Sequence, residues 1–329
     1  VSASKRFATD LVRAALFALL LTPACAEQSP TLPELDAEAG NTDAGNPDEV
    51  SANTDAGDEV PANTDAGGPE PDASIPSTPR ALYTWNFGGV EQLSATDAVE
   101  LLRSTGYAGI AVDTSRAETL QDYLDATAST PDFRVVSAYV ALQLHRGEPF
   151  SDARHKAAID ALAQAKQGDL WLTFRDDKRT QTQQAITNLV RGIVAYAKAK
   201  AVRVVWYPHD NNVYATTEEA MPIVAEIDEP NFGVALNLIH ELRAGKSDPD
   251  ALEGAFETAG DKLFAVTLTG AAEDLTTITA LHESHYELRP FIELIAASSF
   301  VGPVGFLNHT LTQPRTYLPL SLEYWQAHW

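Results

Sequence analysis

From Ala81 onward, short apolar runs rich in β-branched and aromatic residues alternate with longer stretches whose apolar positions recur at helical spacing. The runs "ALYTWNF" (81–87), "GIAVDT" (109–114), "RVVSAYVAL" (134–142), "LWLTF" (170–174), "VRVVWYP" (202–208), "FGVALNL" (232–238), "LFAVTLT" (263–269) and "GPVGFLN" (302–308) read as strands. Each precedes a segment predicted to be helical, over 94–105, 117–128, 151–166, 180–200, 216–227, 248–259, 275–299 and 316–327. Helix-start signals accompany several of them: Ser94 and Thr96 around "DAVELL", Ser151 with Asp152, and Thr216-Thr217 ahead of Glu218-Glu219. Nearly continuous apolar strands separated by amphipathic helices belong to a parallel sheet covered by helices. Eight such units within residues 81–329 match a closed (β/α)₈ barrel, which leaves no sheet edge exposed. An open doubly wound sheet ranks second, because no GxGxxG turn follows the first strand.

Before residue 81 the pattern disappears. Residues 26–80 repeat "NTDAG" three times (41–45, 53–57, 63–67) and hold thirteen Asp and Glu against one basic residue, Arg80. With no aromatic residue and little to bury, this stretch reads as a disordered acidic tether. The repeat lacks the ligand spacing and terminal Glu of an EF-hand loop, so its charge reads as solvation and not as a calcium site. Residues 1–25 have a basic start (Lys5, Arg6, Arg13) and an apolar run from Ala14 to Leu21, too short for a mature membrane span. The segment ends at Cys25, the single cysteine of the chain, between Ala24 and Ala26. This resembles a bacterial lipoprotein signal, with Thr22 and Pro23 departing from the usual lipobox, and implies an exported protein anchored through lipidated Cys25 on the periplasmic side or at the cell surface. An ordinary cleaved signal with an incidental cysteine is the alternative.

The net charge of −23 owes much to the tether, and no basic footprint for nucleic acid is present. In a (β/α)₈ barrel, active sites lie at the carboxyl ends of the strands. The polar residues just beyond the apolar runs are Asn86, Asp113, Tyr139, His145, Arg175 with Asp176 and Asp177, Tyr207, His209, Asp210, Asn237, His240, Thr267, Thr269, Asn308 and His309. Three of the eight histidines, His209, His240 and His309, fall in this set. Arg175 is the best anion contact in it. His282 and His285 are expected on the outer ring, within the helix after strand 7. Tyr207-Pro208-His209 either terminates a strand with a satisfied imidazole or faces a ligand.

The segments "VVWYPHDNN", "TTEEAMPIVAEIDEPNFGVALNLIH", "FAVTLTG" and "GPVGF" together resemble the xylose isomerase-like TIM-barrel family of sugar isomerases and sugar-phosphate isomerases/epimerases, most clearly over 202–307. The resemblance implies a divalent metal held by a Glu at strand 5, the Asp of an Asp-x-x-His at strand 6, a His at strand 7 and a Glu at strand 8. Here those positions read Tyr207, Asn237, Thr267 and Leu307, or Asn308 with a one-residue shift. His240 alone matches directly, at a position that contacts substrate in the family. Tyr, Asn, Thr and Leu do not supply the anionic carboxylates that offset dehydration of a divalent ion. The usual metal is therefore not expected, and no other cofactor is. An unconventional set from His209, Asp210, His240 and His309 lacks diagnostic spacing.

Two functions remain open at this point. The first is an exported sugar isomerase- or epimerase-like enzyme working by proton transfer, with His209 and His240 as catalytic groups and Asn86, Arg175, Tyr207, Asn237, Asn308 and His309 contacting a small carbohydrate. The second is a non-catalytic carbohydrate-binding barrel that has lost the metal. Endonuclease activity, known in the same superfamily, is disfavoured by the missing ligands and basic surface. The anchor is directly testable: radiolabelled palmitate is expected to enter the wild-type chain and to be lost in Cys25→Ser, and a wild type that stays unlabelled and soluble removes it.

Overall fold

Strand β1, Leu82–Trp85, pairs in parallel with β2, Gly109–Asp113, on one side and with the last barrel strand, Val304–Phe306, on the other. The ring continues through β3 (Arg134–Gln143), β4 (Asp169–Arg175), β5 (Val204–Trp206), β6 (Phe232–Asn237) and β7 (Leu263–Leu268), which meets the last strand and closes an eight-stranded parallel barrel. This computed structural model describes residues 80–115, 119–144, 153–176 and 181–329. The expected signal segment with Cys25, the acidic tether up to residue 79, His145 and Asp177 lie outside the described residues.

Parallel register partners share a face, so the interior can be followed around the ring. Tyr83 aligns with Gly109 and Gly305, Trp85 with Ala111, Tyr139 with Trp171, Trp171 with Val205, and Val205 with Gly233. Large aromatic residues thus come from β1, β3, β4 and the end of β5, while β2, β6, β7 and the last strand supply Gly and Ala. The aromatic rings meet inside: Trp85 lies 5.5 Å from each of Tyr139, Trp171 and Tyr207, and Trp171 stacks on Tyr207 at 5.3 Å. Such contacts add to the large apolar area these side chains bury. The small residues are what make room for them. A Cβ on Gly305 would lie 1.9 Å from the ring of Tyr83.

The outer layer follows the chain: α1 (Ala95–Thr105), α2 (Leu120–Thr127), α3 (Arg154–Ala165), α4 (Gln183–Lys198) and α5 (Thr217–Ile227), then α6 (Leu238–Arg243), α7 (Pro249–Ala259), α8 (Arg289–Ala297) and α9 (Pro314–His328). Ser94 caps α1, and Thr216 with Glu219 forms a capping box on α5, as their sequence positions foreshadow. Among the described residues no helix is long and apolar enough to cross a membrane.

Two elements depart from the sequence expectation. The helix expected over 275–299 is only α8; its first half instead holds Ile278–Thr279, the second strand of an antiparallel ribbon with Gly270–Ala271, and a 3₁₀ turn at Leu281–Glu283. Asp274 holds the ribbon turn by accepting hydrogen bonds from the backbone N–H groups of Thr276 and Thr277, both at 2.9 Å. His282 therefore sits in that 3₁₀ turn and His285 just beyond it, neither on an α-helix. The second departure is α6, which starts directly after Asn237 where a loop was expected.

Arg80 closes the lower end of the barrel. Its guanidinium donates to the carbonyls of Phe300 and Gly302 and lies over the rings of Phe300 and Trp329, while its own carbonyl accepts from the Trp325 indole at 2.9 Å.

Because the Tyr83 ring occupies the space above Gly305, Gly305→Ala is expected to overpack the interior at a cost of about 1–3 kcal/mol. For a domain of this size that is a fall in thermal midpoint of roughly 2–12 °C, measurable by circular dichroism. Tyr83→Leu in the same chain should recover part of the loss by vacating that space.

Candidate functional site

The chain leaves β5 through Tyr207-Pro208-His209-Asp210 and turns back at Asn211, whose φ of 62° is left-handed. Asn tolerates that region better than most residues. The turn is fixed on the barrel rim: Tyr207 N–H donates to Leu172 O at 2.8 Å, Val213 N–H to Phe174 O at 3.0 Å, and the Asn212 amide to the Thr173 hydroxyl at 2.8 Å. Alongside, β6 ends at Asn237 and runs straight into α6, so His240 and Arg243 project from one helix face, three residues apart.

Asp210 joins the two segments. Its Oδ1 lies 3.0 Å from His209 Nδ1 and 2.9 Å from His240 Nδ1, and its Oδ2 accepts from Arg243 Nη1 at 3.0 Å. The two imidazole rings are 4.0 Å apart. His209 Nδ1 also lies 2.7 Å from the Asp210 carbonyl oxygen. A carbonyl only accepts, so Nδ1 carries the proton in that contact, and in the neutral tautomer the lone pair is then on Nε2. The His209 side chain is 35% exposed and that of His240 only 4%. Contact with His209 and then His240 holds the Asp210 carboxyl well below the usual carboxylate range, so it is ionised. Burial pulls His240 down to about 4 in spite of Asp210, so its imidazole is neutral at neutral pH.

Deeper in the barrel the polar groups are uncharged. Asn237 donates to the Tyr207 hydroxyl at 2.6 Å, and Tyr83 and Thr267 share a hydrogen bond of 2.8 Å. Burial, followed by neighbouring Tyr83, pushes the Tyr207 phenol well above its ordinary value against the opposing effect of Thr267, so it stays protonated. Leu307 is buried and apolar. Tyr207, Asn237, Thr267 and Leu307 do not fit a divalent ion: they present no carboxylate, and the Tyr207 hydroxyl and the Asn237 amide are hydrogen-bonded to each other.

Tyr139 lies at the upper end of the aromatic cluster. Burial, then the negative charge of Asp113, raises its phenol, with Arg175 opposing and Asp210 adding a smaller upward effect. Asp113 accepts from the Ser115 backbone and hydroxyl at 2.9 and 2.7 Å. Arg175 ends β4 and is exposed. Asn86 is buried, its oxygen accepting from Asp113 N–H at 2.7 Å. Asn308 is also buried, its amide donating to Phe87 O at 2.8 Å and to the Tyr317 hydroxyl at 2.9 Å. These two amides therefore tie the loop after β1 to its neighbours. His309 is exposed and sits edge-on to Phe87 at 5.2 Å.

The structure thus brings His209 and His240 together. Tyr207 and Asn237 lie directly bonded beneath the rim, Asn86, Asn308 and His309 are grouped around the loop after β1, and Arg175 is on the β4 rim. Sequence reasoning missed Arg243, whose only signal is its spacing from His240. The sequence places Asp210 on the rim and does not show that it bridges the two segments.

No family model matches the sequence, and no curated protein does. Solved structures do match in three dimensions. A xylose isomerase-like TIM barrel/4-hydroxyphenylpyruvate dioxygenase fusion protein superposes with a TM-score of 0.60 at 15% identity, over 74% of this chain and 42% of that one. The fold is xylose isomerase-like. The probable 3-DHS dehydratase AsbF of Bacillus anthracis gives a TM-score of 0.61 at 14% identity, over 74% of this chain and 98% of that one. The D-psicose 3-epimerase of Clostridium cellulolyticum H10, solved with D-tagatose, gives 0.58 at 13% identity, over 76% and 91%. At these identities the likeness establishes the xylose isomerase-like barrel, and the chemistry has to be argued from the chain's own residues.

The neutral cluster predicts a pH-dependent cost for restoring a family-type carboxylate. In Asn237→Asp the buried carboxyl acquires a raised pKa, so the penalty for its charged form is present above that pKa and is lost as pH falls through it. The thermal midpoint should lie below wild type at pH 8, and the gap should narrow toward pH 4.

Proposed function

We propose that the chain is an exported, lipid-anchored enzyme of the sugar isomerase/epimerase kind, which binds a small carbohydrate at the barrel mouth and moves a proton on the carbon next to its carbonyl. The observation that carries this reading is the His209–Asp210 arrangement on the rim: an imidazole held in one tautomer, with Nε2 as a lone pair and an ionised carboxylate behind it. His209 Nε2 accepts the proton, and Asp210 stabilises the imidazolium that forms, as a carboxylate does behind a general-base histidine. Arg243 fixes Asp210 from the other side. Negative charge developing on the carbonyl oxygen is met by the protonated Tyr139 phenol and the Arg175 guanidinium. The proton then returns from His209 to the same carbon, or to the former carbonyl carbon as the adjacent hydroxyl proton passes to the former carbonyl oxygen. The fold is shared with a D-psicose 3-epimerase, which supports a carbohydrate as ligand. Export and the anchor rest on the signal-like segment ending at Cys25.

The second reading, a carbohydrate-binding barrel without catalysis, is favoured by the uncharged Tyr207-Asn237-Thr267 cluster. Proton exchange separates the two. In D₂O, a panel of unphosphorylated ketoses and aldoses incubated with the full chain is expected to show protein-dependent deuterium incorporation beside the carbonyl by NMR. His209→Gln should abolish it while leaving the thermal midpoint within a few degrees. Sugars that shift the midpoint without any exchange would establish the binding reading, and no effect of either kind removes both.

A further inference from the structure

We infer that His209, Asp210 and His240 form a binding site for a divalent transition metal, of the zinc type, on the rim of the barrel between the ends of β5 and β6. The three side chains can each present one ligand atom, all within 4.8 Å of one another. Asp210 Oδ1 stands 3.0 and 2.9 Å from the two Nδ1 atoms. Ligand atoms around a tetrahedral zinc ion, with bonds of about 2.0–2.2 Å, are separated by about 3.3 Å. Outward shifts of a few tenths of an ångström at both imidazoles, half-buried His209 and buried His240, bring them to that spacing.

The directions of these contacts point the same way. Asp210 Oδ1 and His240 Nδ1 are both buried and neither makes a directed hydrogen bond, although they are only 2.9 Å apart. An imidazole nitrogen in a side chain that is 4% exposed, next to a carboxylate oxygen and without a directed bond, leaves a buried nitrogen and a buried acceptor oxygen unsatisfied. A cation shared between them satisfies both. Two imidazoles and one carboxylate suit zinc, and with three protein ligands a fourth position stays open to solvent or substrate. The surroundings suit it as well. Arg243 holds Oδ2 in place while leaving Oδ1 to the ion. This site uses none of Tyr207, Thr267 and Leu307, and it differs from the family's metal position.

The inference is independent of the carbohydrate reading. Ligation through His209 Nδ1 displaces its contact to the Asp210 carbonyl and leaves the ring proton on Nε2, so the two uses of the triad exclude one another at any moment.

The test is metal titration of the full chain after stripping with a chelator, in the absence of any sugar. Isothermal titration with Zn²⁺ is expected to show one saturable site per chain, and Co²⁺ in its place should give visible d–d absorption of tetrahedral intensity. His240→Gln and Asp210→Asn should each weaken binding by at least about tenfold and bleach the cobalt spectrum, whereas His285→Ala should change neither. His209→Gln, at the most exposed of the three side chains, provides a variant expected to stay folded if the buried ones do not, with the same loss of binding. Absence of saturable zinc binding in the wild type overturns the site, as does binding that His209→Gln leaves unchanged. Zinc binding by a chain that shows no deuterium exchange even after metal is stripped removes the proton-transfer reading alone.

Discussion

The aromatic packing on the barrel axis governs what the rest of this molecule can do. Trp85, Trp171, Tyr139 and Tyr207 fill the interior edge to face and face to face, and the Gly and Ala positions on β2, β6, β7 and the last strand exist to receive them. Interiors are packed too tightly for such a filling to coexist with a hydrated ion at the same level. Once Tyr207 occupies the end of β5, its hydroxyl needs a partner, and Asn237 on the neighbouring strand supplies one. A carboxylate there would be desolvated with no cation to balance it. The uncharged cluster and the filled interior are two aspects of one packing solution.

Charge is displaced outward in consequence. Asp210 lies beyond the last rung of β5, close enough to solvent to be ionised and close enough to α6 to draw His240 and Arg243 onto one carboxylate. The site's precision comes from continuity between elements. β6 passes into α6 without an intervening loop, so the position of His240 is set by strand pairing, and the turn carrying His209 and Asp210 is bonded to β4 through Phe174 and Thr173. Side chains carried on regular elements are held more closely than side chains on free loops.

The barrel was legible because strands buried on both faces write themselves as unbroken apolar runs, such as "FGVALN", and because the intervening periods are helical. The same property hid α6. In "ALNLIHEL" the apolar run continues past the end of the strand, and periodicity over so few residues does not distinguish a strand from the start of a helix. The stretch before α8 failed for the opposite reason: Thr276, Thr277 and Thr279 favour a ribbon, and Asp274 supplies the turn, but the flanking apolar residues mimic a long amphipathic period. At the site, His209 and His240 could be placed from strand ends alone. Asn86 and Asn308 could also be placed at strand ends, but their burial could not be read, because sequence does not tell a polar residue facing a ligand from one bonded to a neighbouring loop. Arg243 needed the helix before its spacing meant anything.

The staple at Arg80 gives the barrel a circular character. Its contacts with Phe300, Trp325 and Trp329 place the first described residue against the last helix, so the two ends of the ring meet on the floor, at the opposite end of the strands from the mouth. Where the first strand and the last helix of a barrel adjoin in this way, the order of the units along the chain is a historical detail and not a mechanical requirement. In a barrel freed of the residues before Arg80, a short linker from α9 back to β1 would allow the ring to be cut elsewhere, and the eight units could be transcribed in another order around an unchanged mouth.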